Sequence, residues 1–178
     1  MTGFLGGSFD PIHFGHLNLA ISLKEAAGLE KVIICPAWVS PFKEGKKMSS
    51  PEHRLNMCLL AIEGLDGFEV LDYEILKQGP SYTVDTIKYL NRPLRLLLGD
   101  DQLKDFPQWK EVDLLKKLAP PLVGSRNKKE GETPIPIMEI SSTTIRDRLR
   151  KGLPCSHLVP HKVLDYIFKN DLYSSTDR

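Results

Sequence analysis

The sequence predicts an α/β fold: a doubly wound, mostly parallel sheet with helices on both faces. Three observations predict it. Short apolar, β-branched runs alternate with amphipathic stretches along the whole chain. The first run ends in a glycine pair, Gly6-Gly7, and the segment behind it leads into a helix. The chain has 178 residues, the size of one domain of roughly 100–200 residues. The alternation therefore belongs to a single domain over residues 1–178.

Each element follows from local sequence. Gly3–Gly6 is an apolar entry into a glycine turn. Residues 15–28 carry Leu17, Ala20, Ile21, Leu23 and Ala27 at near-helical spacing, and Gly28 stands where a C-terminal cap belongs. Lys31–Cys35 is a β-branched run stopping at Pro36 and reads as a buried strand. Residues 38–50 contain Pro41 and Gly45 and read as a loop. Pro51 suits the first turn of a helix ending near Glu63, with Leu55, Cys58, Leu59 and Ile62 as its apolar face. Phe68–Leu76 reads as a strand bent near Asp72. Gly79-Pro80-Ser81 is a turn, and Ser81 is placed to cap a helix carrying Val84, Ile87 and Leu90. Leu94–Leu98 is a strand entering Gly99-Asp100-Asp101. A helical region interrupted at Pro107 follows, through Lys117, and Pro121–Val123 is another apolar run. Residues 124–134, GSRNKKEGETP, read as a mobile loop. Ile135–Ile140 is the last strand, Ser141-Ser142 caps the next helix, and Val159–Lys169 is a terminal helix.

Composition narrows the function. Lys+Arg is 24 and Asp+Glu is 23, so the net charge is 24 − 23 = +1. That balance argues against a broad grip on nucleic acid or an anionic membrane, while allowing a small basic pocket. Cys35, Cys58 and Cys155 are too few and scattered for a disulfide framework, and no Cys/His spacing suggests structural zinc, so no protein-held metal is expected. No signal peptide and no run of about 18 apolar residues is visible. A reduced cytoplasmic protein is the expectation; no heptad repeat indicates an oligomeric state.

In open parallel sheets, ligands bind beyond the carboxyl ends of the strands. The informative segments are therefore Gly6–His16, Pro41–Lys43, Gly99–Asp101 and Ser141–Arg146. In GGSFDPIHFGH, two glycines let backbone N–H groups approach a phosphate. His13 and His16 then sit three apart at a helix N-terminus, where the dipole favours anions. Gly15 leaves room above the helix end. Taken singly, a glycine pair is an ordinary turn, and a His-x-x-His pair is a surface or capping pair or a metal ligand set. In Ser141-Ser142-Thr143-Thr144-Ile145-Arg146, four hydroxyls and a guanidinium crowd a second helix start. Such a group can bind phosphate oxygens or be an ordinary cap with a solvated arginine. Together the two segments read as opposing anion-binding helix starts.

GGSFDPIHFGHL and ISSTTIRDRL resemble the two signatures of the HxGH nucleotidyltransferase superfamily. More narrowly, the chain resembles the bacterial nicotinate-nucleotide adenylyltransferases nearly end to end. The likeness includes Pro41-Phe42-Lys43, His53-Arg54, GPSYTVDT over 79–86, LLGDD over 97–101, FPQW over 106–109 and Leu158-Val159-Pro160. It implies a Rossmann-like nucleotidyltransferase fold and adenylyl transfer from ATP, with Mg²⁺, to nicotinate mononucleotide, giving deamido-NAD and pyrophosphate. By resemblance, His13 and His16 contact the ATP phosphates, and Gly6, Gly7, Ser8 and Phe9 offer backbone contacts. Lys43 reaches phosphate, Asp100 binds a ribose, and Ser142, Thr143 and Arg146 hold the departing pyrophosphate. Thr83, Thr86 and Trp109 form the pyridine pocket, with the indole on the ring. Without the resemblance, Trp109 is equally a boundary aromatic, Lys43 a solvated lysine, and Asp100, Thr83 and Thr86 ordinary cap or helix residues. Backbone N–H groups near Thr86, or Lys110, are the alternatives for a nicotinate carboxylate.

The chain departs from the family at Ser8 (often Thr), Lys77 (often Arg), Asp101 (often a small residue) and Ser125-Arg126-Asn127 (often Arg-Pro-Gly). Lys47-Met48-Ser49-Ser50 resembles the KMSKS loop of class I aminoacyl-tRNA synthetases, but the chain leaves no room for tRNA-binding domains. Pantetheine-phosphate adenylyltransferase, a cytidylyltransferase and a catalytically silent nucleotide-binding module remain as alternatives.

Overall fold

Consecutive residues of a strand point to opposite faces of a sheet, and the central strands here are apolar on both. In a computed structural model, residues 1–43, 45, 47–125, 133–136 and 138–174 are described. The strands are β1 (Thr2–Gly7), β2 (Lys31–Pro36), β3 (Phe68–Val70), β4 (Leu94–Gly99), β5 (Pro121–Ser125) and β6 (Thr133–Pro134). The α-helices are α1 (Phe14–Ala26), α2 (Pro51–Ile62), α3 (Tyr73–Lys77), α4 (Thr83–Leu90), α5 (Val112–Leu118), α6 (Ser142–Arg150) and α7 (His161–Lys169).

Leu5, Val32, Ile34 and Leu97 pack on one face against Leu23 of α1, Met57 and Cys58 of α2, and Val163 and Ile167 of α7. Phe4, Ile33, Leu96 and Leu98 pack on the other against Val84 and Ile87 of α4 and Leu115 of α5. Helices on both faces are what an all-parallel sheet requires. The strand order is β3-β2-β1-β4-β5-β6, with every pair parallel. The chain winds outward from β1 to β3, then crosses back to β4 on the other side of β1. The crevice beyond β1 and β4 is therefore the topological switch point.

Several sequence expectations shift. The third strand ends at Val70, not Leu76; residues 73–77 form α3 instead. A helix of five residues is too short to show a helical period, so its apolar residues read as strand. The last strand pairs at Thr133–Pro134, and residues 135–136 and 138–140 are not strand. Pro136 has no N–H to extend the ladder. Of the expected loop at 124–134, the ends belong to β5 and β6, while 126–132, Arg126 and Asn127 included, lie outside the described residues. Ser81 does not cap α4: the cap position is Tyr82, and Ser81 Oγ accepts from Trp38 N–H at 2.9 Å.

The buried face of α2 is Arg54, Met57, Cys58 and Ala61, one residue off the expected stripe, and Leu59 is exposed. Arg54 is fully buried. Its Nη1 donates to Ser8 O at 2.8 Å and Ala37 O at 2.5 Å, its Nη2 to Trp38 O at 2.7 Å, and its Nε to Ser49 O at 3.1 Å. One planar fork thus ties the loop after β1 to the end of β2 and to the start of α2. Loss of solvation pushes its pKa down, opposed by nearby Asp10. Replacing Arg54 by Leu strands these carbonyls without a donor. Chemical denaturation should show a loss of about 3–5 kcal/mol. Arg54→Lys should recover only part of it, because an ammonium lacks the fork.

Candidate active site

Beyond the carboxyl ends of β1 and β4 lies a cleft of about 710 Å³. Gly6, Gly7, Ser8, Phe9, His13, His16, Lys43, Thr83, Asp100, Trp109, Ser142, Thr143 and Arg146 all line it. Segments spread from residue 6 to residue 146 are therefore brought to one place. Thr86 is the exception: its side chain is buried behind the wall, and its hydroxyl donates to Glu74 at 2.6 Å.

The loop after β1 is tightly built. Phe9 is buried with a left-handed φ of 48°. It packs edge-on to His16, with ring centroids 5.0 Å apart. His13 is the N-cap residue of α1 with an extended backbone, and its carbonyl accepts from the N–H groups of His16 and Leu17. The two imidazoles stack, with centroids 3.7 Å apart and planes 24° apart. Gly15 leaves room for this stacking: a Cβ there would crowd the ring, standing 3.0 Å from His13 Nδ1 and 3.1 Å from His13 Cε1.

His16 Nδ1 accepts from His13 N–H at 3.3 Å. A neutral imidazole accepting at Nδ1 carries its proton on Nε2. Loss of solvation, then the charges of His13 and Lys43, hold the His16 pKa well below its ordinary value of 6.5. The ring is therefore a neutral donor at the mouth of a helix N-terminus, where anions are favoured.

The start of α6 faces it. Ser141 Oγ caps the helix by accepting from Thr144 N–H at 3.1 Å. Ser142 Oγ donates to Pro11 O at 3.0 Å, and Arg146 donates to Asp10 O at 2.6 Å and to Thr143 Oγ1 at 3.2 Å. Both helix starts are thus tied to the same loop, and His13, His16, Ser142 and Thr143 from them line the cleft.

The other end of the cleft is aromatic. Trp109 packs edge-on against Phe106 at 5.3 Å, and Tyr82 lies under Lys110 Nζ at 4.6 Å from its ring centre. Lys110 Nζ also binds both carboxylate oxygens of Asp85, at 3.0 and 3.1 Å. Thr83 begins α4 here, so its N–H and that of Val84 have no partner within the helix.

Two residues of the site's frame were not singled out by sequence. Asp10 is buried beneath the loop. Glu74 is buried behind the aromatic end, where loss of solvation pushes its carboxyl pKa up, while bonds from Thr86, Ser81 and Cys35 oppose this. The position after Phe9 in the glycine loop was a usable signal for Asp10. Nothing local marked Glu74, which sits inside the segment that reads as strand.

Paired helix N-termini at the glycine end of β1, with an aromatic pocket beside them, form a site suited to a phosphate-bearing group. Comparison with known proteins agrees. The family described as cytidylyltransferase-like matches residues 4–148. A curated relative from Methylacidiphilum infernorum, "Probable nicotinate-nucleotide adenylyltransferase", is 38% identical over 94% of this chain and 89% of its own. One of the same name from Roseiflexus sp. is 39% identical over 96% of both. A solved Plasmodium falciparum nicotinic acid mononucleotide adenylyltransferase, complexed with APC, shares the fold at a TM-score of 0.69 and 20% identity, covering 97% of this chain and 96% of its own. The chain belongs to the cytidylyltransferase-like family of nucleotidyltransferases and, within it, to the nicotinate-nucleotide adenylyltransferases.

Two predictions follow from the histidine pair. Because the folded-state pKa of His16 lies below the unfolded value of about 6.5, the unfolded chain takes up the proton first as pH falls. The His16 contribution is fully present above about pH 6.5 and declines below it until the folded-state pKa is reached. Denaturation curves of wild type and His16→Asn should diverge below that pH, with wild type the more acid-sensitive. Gly15→Ala should displace the His13 ring and lower turnover by about 10-fold or more, as a misplaced catalytic group does, with little change in far-ultraviolet circular dichroism.

Proposed function

We propose that this chain transfers the adenylyl group of ATP to the 5′-phosphate of nicotinate mononucleotide, releasing pyrophosphate. The observation that carries the reading is the convergence of two helix N-termini, α1 with its histidines and α6 with Arg146, on one cleft at the sheet's switch point. The names of the curated relatives support the acceptor, as does a Plasmodium structure complexed with NaAD.

The reaction is a single displacement. An oxygen of the acceptor phosphate attacks the α-phosphorus of ATP, a new P–O bond forms, and the bond to the bridging oxygen breaks toward pyrophosphate. The attacking phosphate is already ionised at neutral pH, so no protein nucleophile is required. The protein's share is positioning and stabilisation of charge. Backbone N–H groups of the Gly6–Phe9 segment and the imidazoles of His13 and His16 would meet the α-phosphate. Arg146, Ser142 and Thr143 would hold the leaving pyrophosphate, with Lys43 between the two phosphate groups and Asp100 on a ribose. Trp109 would stack on the pyridine ring, beside Thr83. Thr86 would act from behind the wall, through Glu74 and the first turn of α4.

Family members of this kind use a divalent cation with ATP; Mg²⁺ bound to the triphosphate would neutralise charge on the departing oxygens. Among the described residues, no three His, Cys, Asp or Glu side chains are grouped to hold a metal ion. Asp100 and Asp101 line the cleft and suit a hard cation delivered by the nucleotide. Among the described residues no helix is long and apolar enough to cross a membrane, and a reduced cytoplasmic setting with small-molecule partners remains the proposal.

The N–H groups of Thr83 and Val84, which have no partner within the helix, favour a carboxylate on the pyridine ring over a carboxamide. Lys110 is held by Asp85, which leaves those N–H groups as the better candidates. In competition, nicotinate mononucleotide should be consumed ahead of the amide; preference for the amide would overturn the acceptor assignment. His16→Ala should lower kcat by about 10²–10³-fold. Near-wild-type pyrophosphate release by that variant contradicts the role given to His16.

A further inference from the structure

We propose that Tyr173 is a positioning residue for the leaving-group arginine: from the end of the chain it fixes the carboxylate of Asp10 and, through Asp10, the guanidinium of Arg146. The proposal rests on the role given to Arg146 above. It goes beyond that reading because Tyr173 lies outside both motifs and touches no substrate.

Geometry carries it. After α7 the chain turns back on itself, with left-handed φ values of 49° at Asp171 and 60° at Tyr173. Such a conformation is costly for a tyrosine and persists where surrounding contacts enforce it. The result is a tyrosine 4% exposed, buried in the core beneath the catalytic loop. Its hydroxyl donates to Asp10 Oδ1 at 2.7 Å. Ser49 N–H donates to the same oxygen at 3.3 Å. With Oδ1 taken from two sides, Oδ2 is turned to Arg146, whose Nη1 stands 3.8 Å away. The same Nη1 donates to the backbone carbonyl of Asp10. The guanidinium is therefore held by the main chain and faced by the side chain of one residue, and Tyr173 sets that side chain. Burial, then the charge of Asp10, pushes the Tyr173 pKa up, so the hydroxyl stays a donor at every working pH.

The consequence is specific to pyrophosphate. Tyr173→Phe keeps the buried ring and removes one hydrogen bond to a carboxylate. Calorimetric titration of inorganic pyrophosphate into the full chain should show binding weakened roughly 5- to 10-fold. The KM for nicotinate mononucleotide should be unchanged, since its pocket lies at the far end of the cleft. In an Arg146→Ala background the same substitution should have no further effect on pyrophosphate affinity. Asp10→Asn should resemble Tyr173→Phe in all three measurements. Wild-type pyrophosphate affinity in Tyr173→Phe overturns the proposal, as does an equal loss with and without Arg146. Pyrophosphate binding is read without turnover, so an error in the acceptor assignment leaves this test intact. A wild-type chain that binds no pyrophosphate removes both the role of Arg146 and this proposal.

Discussion

The structure depends on one buried cation. Parallel strands deliver their backbone carbonyls and loop ends to one edge of the sheet, and that edge has to be both a binding cleft and a stable part of the protein. Buried carbonyls without donors are costly. Arg54 supplies the donors from inside the core, reaching the carbonyls of Ser8, Ala37, Trp38 and Ser49 at once. Among residues 6–9 it takes the Ser8 carbonyl, while the Gly7 carbonyl accepts from Ala37 N–H, so the end of β1 is fixed on the β2 side. Phe9, which follows the clamped Ser8 carbonyl, holds a left-handed backbone with its ring packed on His16.

From that fixed loop the site assembles outward. His13 caps α1, and its N–H selects the tautomer of His16. Pro11 and Asp10 present carbonyls that draw in Ser142 and Arg146 and thereby set the start of α6. The two helix N-termini are thus oriented by one loop rather than independently. Their combined field lies where charge would build during transfer, and the His16 ring, kept neutral by burial and by the charges of His13 and Lys43, adds a donor there. A near-neutral net charge is compatible with this, since the cleft itself mixes signs, with Lys43 and Arg146 lining it beside Asp10, Asp100 and Asp101.

Much of this was legible in the sequence because each functional segment is local and follows a strand. The glycine pair, the histidine spacing and the hydroxyl cluster could be placed without knowing any long-range contact. What stayed hidden depends on contacts across the fold. Arg54 sits at a buried helical position with Met57, Cys58 and Ala61, but a charge on a helix reads as solvent-facing until its four acceptors are known. Glu74 lies on a helix too short to show a period. The Thr86 hydroxyl turns to Glu74 rather than to the cleft, which only the packing of α3 on α4 reveals. Tyr173 is a lone residue in a tail, and nothing in its surroundings along the chain marks its bond to Asp10.

The central claim is that the site positions two phosphates for one displacement and uses no covalent intermediate on the protein. The most direct measurement is the stereochemical course at phosphorus, using ATP made chiral at the α-position and nicotinate mononucleotide as acceptor. A single in-line displacement predicts inversion of configuration in the dinucleotide product. Retention would require two displacements through an adenylylated side chain, and would contradict the account.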